Sequence, residues 1–154
     1  MIHLIDLHFL GFDRSIASFL YETSDGPILI ETGPHSTYDK LKEGVARAGF
    51  RMEDIKHVFL THIHLDHAGA AWAMAEKGAT IYVHPFGAPH LHRPEKLMNS
   101  ARRIYKDKMD ALWGSMEGIA ENRIREAGSE ESFRVGDTFI KAWYTPGHAV
   151  HHIA

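Results

Sequence analysis

Residues 61 to 67 read Thr-His-Ile-His-Leu-Asp-His, and four of the seven side chains are of a type that binds metal. His62 and His64 stand two apart, just beyond the apolar run Val58-Phe59-Leu60, which reads as a short buried strand. Side chains two apart at a strand end point the same way. Asp66 follows two residues later, and His67 falls where a helix is predicted to begin, so the chain turns back and the donors converge. Neutral imidazoles with one carboxylate are what zinc, iron or manganese accepts in the absence of thiolates, and the chain has no Cys. With 13 His available, His-x-His-x-Asp-His arises by chance roughly 0.005 times in a chain of this length. Metal binding is therefore the better explanation. A metal held this way lowers the pKa of its water to about 7 and polarises a carbonyl or phosphoryl oxygen, which is hydrolytic chemistry. Ligand imidazoles must be neutral, so metal should be lost as pH falls towards and below about 6.5.

Composition narrows the setting. The length of 154 residues suits one domain, and 44% hydrophobic residues against 24% charged is a globular balance. A formal charge of −3 leaves no footprint for nucleic acid or an anionic membrane. No run approaches the ~18 apolar residues of a membrane span. Met1 leads directly into Ile2-His3-Leu4 with no basic leader, so the expected compartment is the cytoplasm. The lack of Cys excludes a disulfide framework and a thiolate nucleophile.

The elements that must position the histidines follow from periodicity. Ile2 to Leu10, Ile16 to Tyr21 and Ile28 to Ile30 read as strands of a meander, with a hairpin turn at Ser24-Asp25-Gly26-Pro27. A helix is predicted from Ser36 to Ala48, stopped by Gly49, with Gly44 a mild cost inside it. A second runs from about His67 to Gly78, and Thr80 to Val83 is a strand. Pro85 to Pro94 reads as a loop. A helix then carries Leu97, Ala101, Ile104, Tyr105 and Met109, with Trp113 and Met116 beyond it. Phe139 to Tyr144 closes the pattern as a strand. The order β-β-β-α-β-α-β-α-β argues for a mixed α/β layer architecture.

The His62-x-His64-x-Asp66-His67 run resembles the hallmark of the metallo-β-lactamase superfamily. Ile28-Leu29-Ile30-Glu31-Thr32-Gly33 is similar to that family's first motif, with Glu31 in place of the usual Asp, and Thr145-Pro146-Gly147-His148 to its third. The resemblance implies an αββα sandwich with a mixed sheet and flanking helices, of which 1–154 would be the N-terminal part. It implies that His62, His64 and His148 hold a first metal and that Asp66 and His67 hold a second. Asp66 would orient the water or ligate the second metal, and the expected cofactor is one or two zinc ions, with iron or manganese as alternatives. The bridging Asp and distal His of the family find no match before Ala154. The chain therefore reads as truncated after the third motif, with self-association or a complementing C-terminal chain expected to cover its sheet.

Other residues are read by weighing chemistry against packing. Glu31 is expected to accept a proton from a ligand His or cap a turn. His151 and His152 are stand-in ligands or orienting donors, or else an exposed, frayed end, which their position favours. His84 and His90 line a substrate pocket or lie, like His92, in a solvated loop. Lys96, Arg102, Arg103, Lys106 and Lys108 are offset by Glu95, Asp107 and Asp110 and read as a solvated helix face. Trp72, Met74, Trp113 and Met116 read as packing. The expected reaction is hydrolysis of a small ester, thioester or lactone, in a branch like the glyoxalase II enzymes. The alternatives are a catalytically incomplete metal-binding half acting through assembly, and an iron-containing redox relative.

Overall fold

The computed structural model describes residues 1–154. The apolar runs at the amino terminus become three antiparallel strands, β1 (Ile2–Asp6), β2 (Ala17–Thr23) and β3 (Gly26–Ile30). The β2–β3 turn falls at Ser24 and Asp25. Gly26 takes φ +98°, and Thr23 Oγ1 donates to the Gly26 carbonyl at 2.7 Å while accepting the Asp25 N–H at 3.1 Å. Strand direction then changes: β4 (His57–Phe59), β5 (Thr80–Val83) and β6 (Ile124–Glu126) join parallel to β3, giving one sheet in the order β1-β2-β3-β4-β5-β6.

Parallel neighbours require crossovers, and helices supply them. The first is α1 (Tyr38–Arg47); α2 (Leu65–Ala68) and α3 (Ala71–Glu76) lead into β5. The longest crossover, before β6, holds α4 (Ala88–His92), α5 (Glu95–Tyr105) and α6 (Met109–Trp113). Register sorts the side chains into two faces. Leu29, Val58 and Ile81 are neighbours across the sheet and belong to the 26-residue core with Leu41, Val45 and Met74 of the helices. On the other face Ile30, Phe59 and Tyr82 are neighbours, and Phe59 stacks on Tyr82 at 4.2 Å. Phe133 covers both, from the hairpin of β7 (Ser132–Val135) and β8 (Thr138–Lys141). Central strands covered on both faces explain the unbroken apolar runs of β3 and β5. Truncating a wholly buried core residue such as Leu29 to Ala costs roughly 2–5 kcal/mol. No helix is long and apolar enough to cross a membrane.

Several elements depart from the expected pattern. The helix predicted from His67 to Gly78 is two helices that break at Gly69 and Ala70, because tertiary partners take the local backbone groups. The His67 carbonyl accepts the Thr32 N–H at 2.8 Å and its hydroxyl at 2.9 Å, and Ala70 N–H donates to Gly33. Gly44 is required by packing, since any side chain there would collide with Ile5. The loop expected after Pro85 contains α4, with Pro89 in its first turn. The last strand stops at Lys141, and Tyr144 instead forms an isolated bridge with Ile153. β6 and β7 were not expected: β6 has three residues and little apolar signal, and β7 has only four.

Candidate metal centre

β3, β4 and β5 end at one edge of the sheet, where loops leaving parallel strands gather. Glu31 follows β3, Thr61 to His64 follow β4, and His84 follows β5. The strand ladder continues to Leu60, whose N–H donates to Tyr82 at 2.9 Å, and then the chain leaves the sheet. His64 stays extended at φ −62°, ψ 151° and opens α2, its carbonyl accepting the N–H groups of His67 and Ala68. Thr32 anchors the far end of that turn. The motif thus sits on a backbone fixed from both sides.

Three of the expected ligands meet. His62 Nε2 is 3.0 Å from His64 Nδ1, His64 Nδ1 is 3.0 Å from His148 Nε2, and His148 Nε2 is 3.2 Å from His62 Nε2. Zn–N distances near 2.0–2.1 Å in a tetrahedron put ligand atoms roughly 3.3 Å apart. The donor set and spacing fit such an ion, with three protein ligands and one position left open. Thr61 Oγ1 lies 2.9 Å from His62 Nδ1 and orients the ring so that Nε2 faces the triangle. Burial, then the neighbouring imidazoles led by His67, pushes the pKa of His62 down to about 3. His64 is lowered by burial and by His148, against the pull of Asp66. Both are therefore held neutral, as ligands must be.

Asp66 and His67 lie beside the triangle and pair with each other. His67 Nε2 is 3.3 Å from Asp66 Oδ2, and its Nδ1 is 3.3 Å from Glu31 Oε2. Burial works against a charge on His67, but hydrogen bonding to Asp66 and Glu31 outweighs it and raises the pKa to about 10. The Asp66 carboxyl is held below its usual range, first by His67 and in opposition to burial. Glu31 is buried and takes φ +63°, a left-handed conformation costing about 1–2 kcal/mol for a residue with a side chain. The strain aims its carboxylate: Oε1 accepts the Thr61 N–H at 2.9 Å while Oε2 faces His67. Glu31 thereby links the His67 ring to the residue that orients His62.

The end of the chain is not frayed, contrary to the exposed terminus expected for His151 and His152. Ile153 N–H donates to Thr61 at 2.8 Å, Trp143 and Ala154 exchange two backbone bonds, and Ile153 is buried. This pins both histidines half-buried against the site: the His151 and His152 rings lie 6.2 and 5.3 Å from that of His62. Burial, with the charges of His64, His90 and His84, lowers the pKa of His151. His84 is buried rather than in a solvated loop. It stacks on Tyr144 at 4.6 Å, accepts the Phe86 N–H, and has its pKa lowered by burial. Tyr144 in turn donates its hydroxyl to the Val150 carbonyl, closing the loop that carries His148. His90 lies half-buried on α4, and His92 spends its ring on the Ile119 carbonyl and Glu121.

One part of the site was not foreseen. A cavity of about 300 Å³ opens beside His64 and Asp66, walled by Leu65, Leu97, Ala101, Ile104, Tyr105 and Trp113, with Ser100 at its side. Trp113, read from sequence as packing, does pack on Phe9 and Tyr105 but also walls this cavity. The only signal in the sequence was the helical spacing of Leu97, Ala101 and Ile104. The cations of α5 and its continuation are exposed, as expected of a solvated face.

Residues 11–154 match the family described as the metallo-beta-lactamase superfamily. The probable metallo-hydrolase YqjP of Bacillus subtilis is 28% identical over 144 residues, which is 84% of this chain and 45% of that protein. The atrochrysone carboxyl ACP thioesterase of Aspergillus fumigatus is 28% identical over 138 residues, covering 88% and 34%. Among solved structures, BJP-1, a subclass B3 metallo-beta-lactamase of Bradyrhizobium japonicum, superposes with a TM-score of 0.74 at 25% identity, covering 99% of this chain and 52% of that one. The chain spans about half the length, or less, of the relatives it matches. With the family match running over nearly all of its length and the mixed sheet and flanking helices superposing on the same fold, the chain belongs to the metallo-β-lactamase superfamily.

Proposed function

We propose that this chain carries the metal-binding part of a zinc-dependent hydrolase acting on a small ester, thioester or lactone. The observation that carries the reading is the triangle of imidazole nitrogens on His62, His64 and His148, with edges of 3.0, 3.0 and 3.2 Å. Similarity to an ACP thioesterase supports the ester-like substrate class.

Zinc bound there supplies an activated water as nucleophile and Lewis-acid polarisation of the scissile carbonyl. The chain's own residues do the rest. His62, His64 and His148 hold the ion, with Thr61 fixing the His62 ring. Asp66, whose carboxyl is held below its usual range, would orient the water by accepting a hydrogen bond from it. His67 has a carboxylate oxygen 3.3 Å from each ring nitrogen, Glu31 Oε2 at Nδ1 and Asp66 Oδ2 at Nε2.

Zinc content by elemental mass spectrometry, measured beside hydrolysis of a short-chain thioester, tests this. About one zinc per chain is expected, lost in His148→Ala together with turnover; His148 is exposed, so the fold should survive its removal. A wild-type chain that takes up no zinc, or a His148→Ala chain that keeps it, overturns the reading.

A further inference from the structure

We propose that the cavity of about 300 Å³ beside His64 and Asp66 is a substrate pocket, selecting substrates that carry an apolar chain on one side of the scissile bond. This rests on the hydrolase reading and extends it to a substrate class. The lining points to an apolar ligand. The walls are apolar, and none of the lining residues is a cation, although Lys96, Arg102 and Arg103 lie on the same helix. An anionic tail therefore finds no partner inside. Ile104, 71% exposed on an otherwise charged stretch of α5, forms part of the same wall.

Position ties the cavity to the imidazole triangle. His64 points its Nδ1 at the imidazole triangle and forms part of the cavity wall. A carbonyl at the triangle therefore has one of its two substituents beside Leu97, Ala101 and Ile104. Tyr105 and Trp113 stack edge to face with centroids 5.2 Å apart, Trp113 rests on Phe9 at 5.5 Å, and Ser36 Oγ donates to the Leu112 carbonyl at 2.6 Å. The pocket is thus preformed. The Ser100 hydroxyl already donates to the Lys96 carbonyl, and a free donor of the wall is the Trp113 indole N–H, which is buried without a partner. At interior packing density the volume holds a chain of about twelve carbons.

The test is a length series of 2-alkanones, neutral carbonyl probes that cannot be hydrolysed, titrated calorimetrically into the full chain with chelator present. Affinity should rise about fourfold per added methylene and level off beyond about twelve carbons. Ile104→Ser should weaken 2-octanone about tenfold and leave 2-butanone unchanged. Its melting temperature should match the wild type, because the residue is exposed. Ala101→Phe, which fills the cavity, should move the plateau to shorter chains; if that variant does not fold, the Ile104→Ser comparison decides alone. Affinity independent of chain length, or equal 2-octanone binding by wild type and Ile104→Ser, overturns the proposal. Because the titration needs neither metal nor turnover, its outcome is read separately from that of the hydrolase reading. A chain that hydrolyses esters with no length preference defeats the pocket alone.

Discussion

Two groups of side chains in this molecule place three metal-type donors within 4.8 Å of one another: His62, His64 and His148 at the sheet edge, and Asp6, His8 and Asp13 in the loop between β1 and β2. Geometry alone makes them equivalents, but their lone pairs are committed differently. In the loop, Asp6 Oδ1 accepts the His8 N–H at 3.1 Å and Oδ2 accepts the Arg14 N–H at 2.8 Å, while His8 Nδ1 is 2.7 Å from Asp13. Those bonds hold His8 and Arg14 at φ +46° and +60°, so the carboxylates secure a strained turn. At the sheet edge no backbone N–H reaches the three nitrogens that face one another. Proximity of donors is thus necessary for a metal site, but what the donors already bind decides whether one exists.

The largest expected effect breaks that comparison directly. His64→Ala should weaken zinc binding at least about 100-fold, whereas Asp13→Ala should leave both affinity and stoichiometry unchanged. Competition against a chromophoric chelator measures both. Equal losses in the two variants would mean that the loop is a site after all.

Glu31→Ala should sharpen the contrast. It removes the acceptor of the Thr61 N–H and the carboxylate facing His67 without touching the triangle. We expect zinc affinity to fall about tenfold, in the range seen for residues that orient ligands, read by the same competition. Unchanged affinity would show that Thr61 and the His62 ring hold their places unaided.

The smallest effect lies in the pH dependence of the metal-free chain. His62 is depressed from 6.5 to about 3, so the unfolded chain binds its proton first and stability falls as pH drops from 6.5 towards 3. His67 is raised from 6.5 to about 10, so its contribution is complete below pH 6.5 and is lost as pH climbs through 10. Each limb should be worth on the order of 1 kcal/mol after allowing for solvent screening, with maximum stability near pH 6.5. Urea unfolding across this range should show the alkaline limb disappear in His67→Gln while the acid limb persists. An alkaline limb of the same size in that variant would assign it elsewhere.

Much of the sheet was legible because its strands are short apolar runs separated by turn chemistry, as at Ser24-Asp25-Gly26-Pro27. Elements whose identity depends on a neighbour were not. β6 is a strand because β5 offers it a free edge, and α2 ends at Ala68 because Thr32 reaches the His67 carbonyl. His151 and His152, read as a loose end, are ordered because Ile153 bonds to Thr61. No local pattern announces such bonds.

What the sequence by itself determined is the chemistry and its local geometry: imidazoles at positions 62 and 64 share a side because of backbone pleat, and Asp66 and His67 follow at the start of a helix. Only the tertiary structure decided which donors converge. It brought His148 across 84 residues to within 3.2 Å of both partners, turned Asp66 and His67 towards each other and Glu31, and left a cavity rather than packed core between α2, α5 and α6. The physical reason is the range of the forces involved. Side-chain direction along a strand or helix follows from covalent geometry over a few residues, whereas closing a long loop onto a site depends on how whole elements pack.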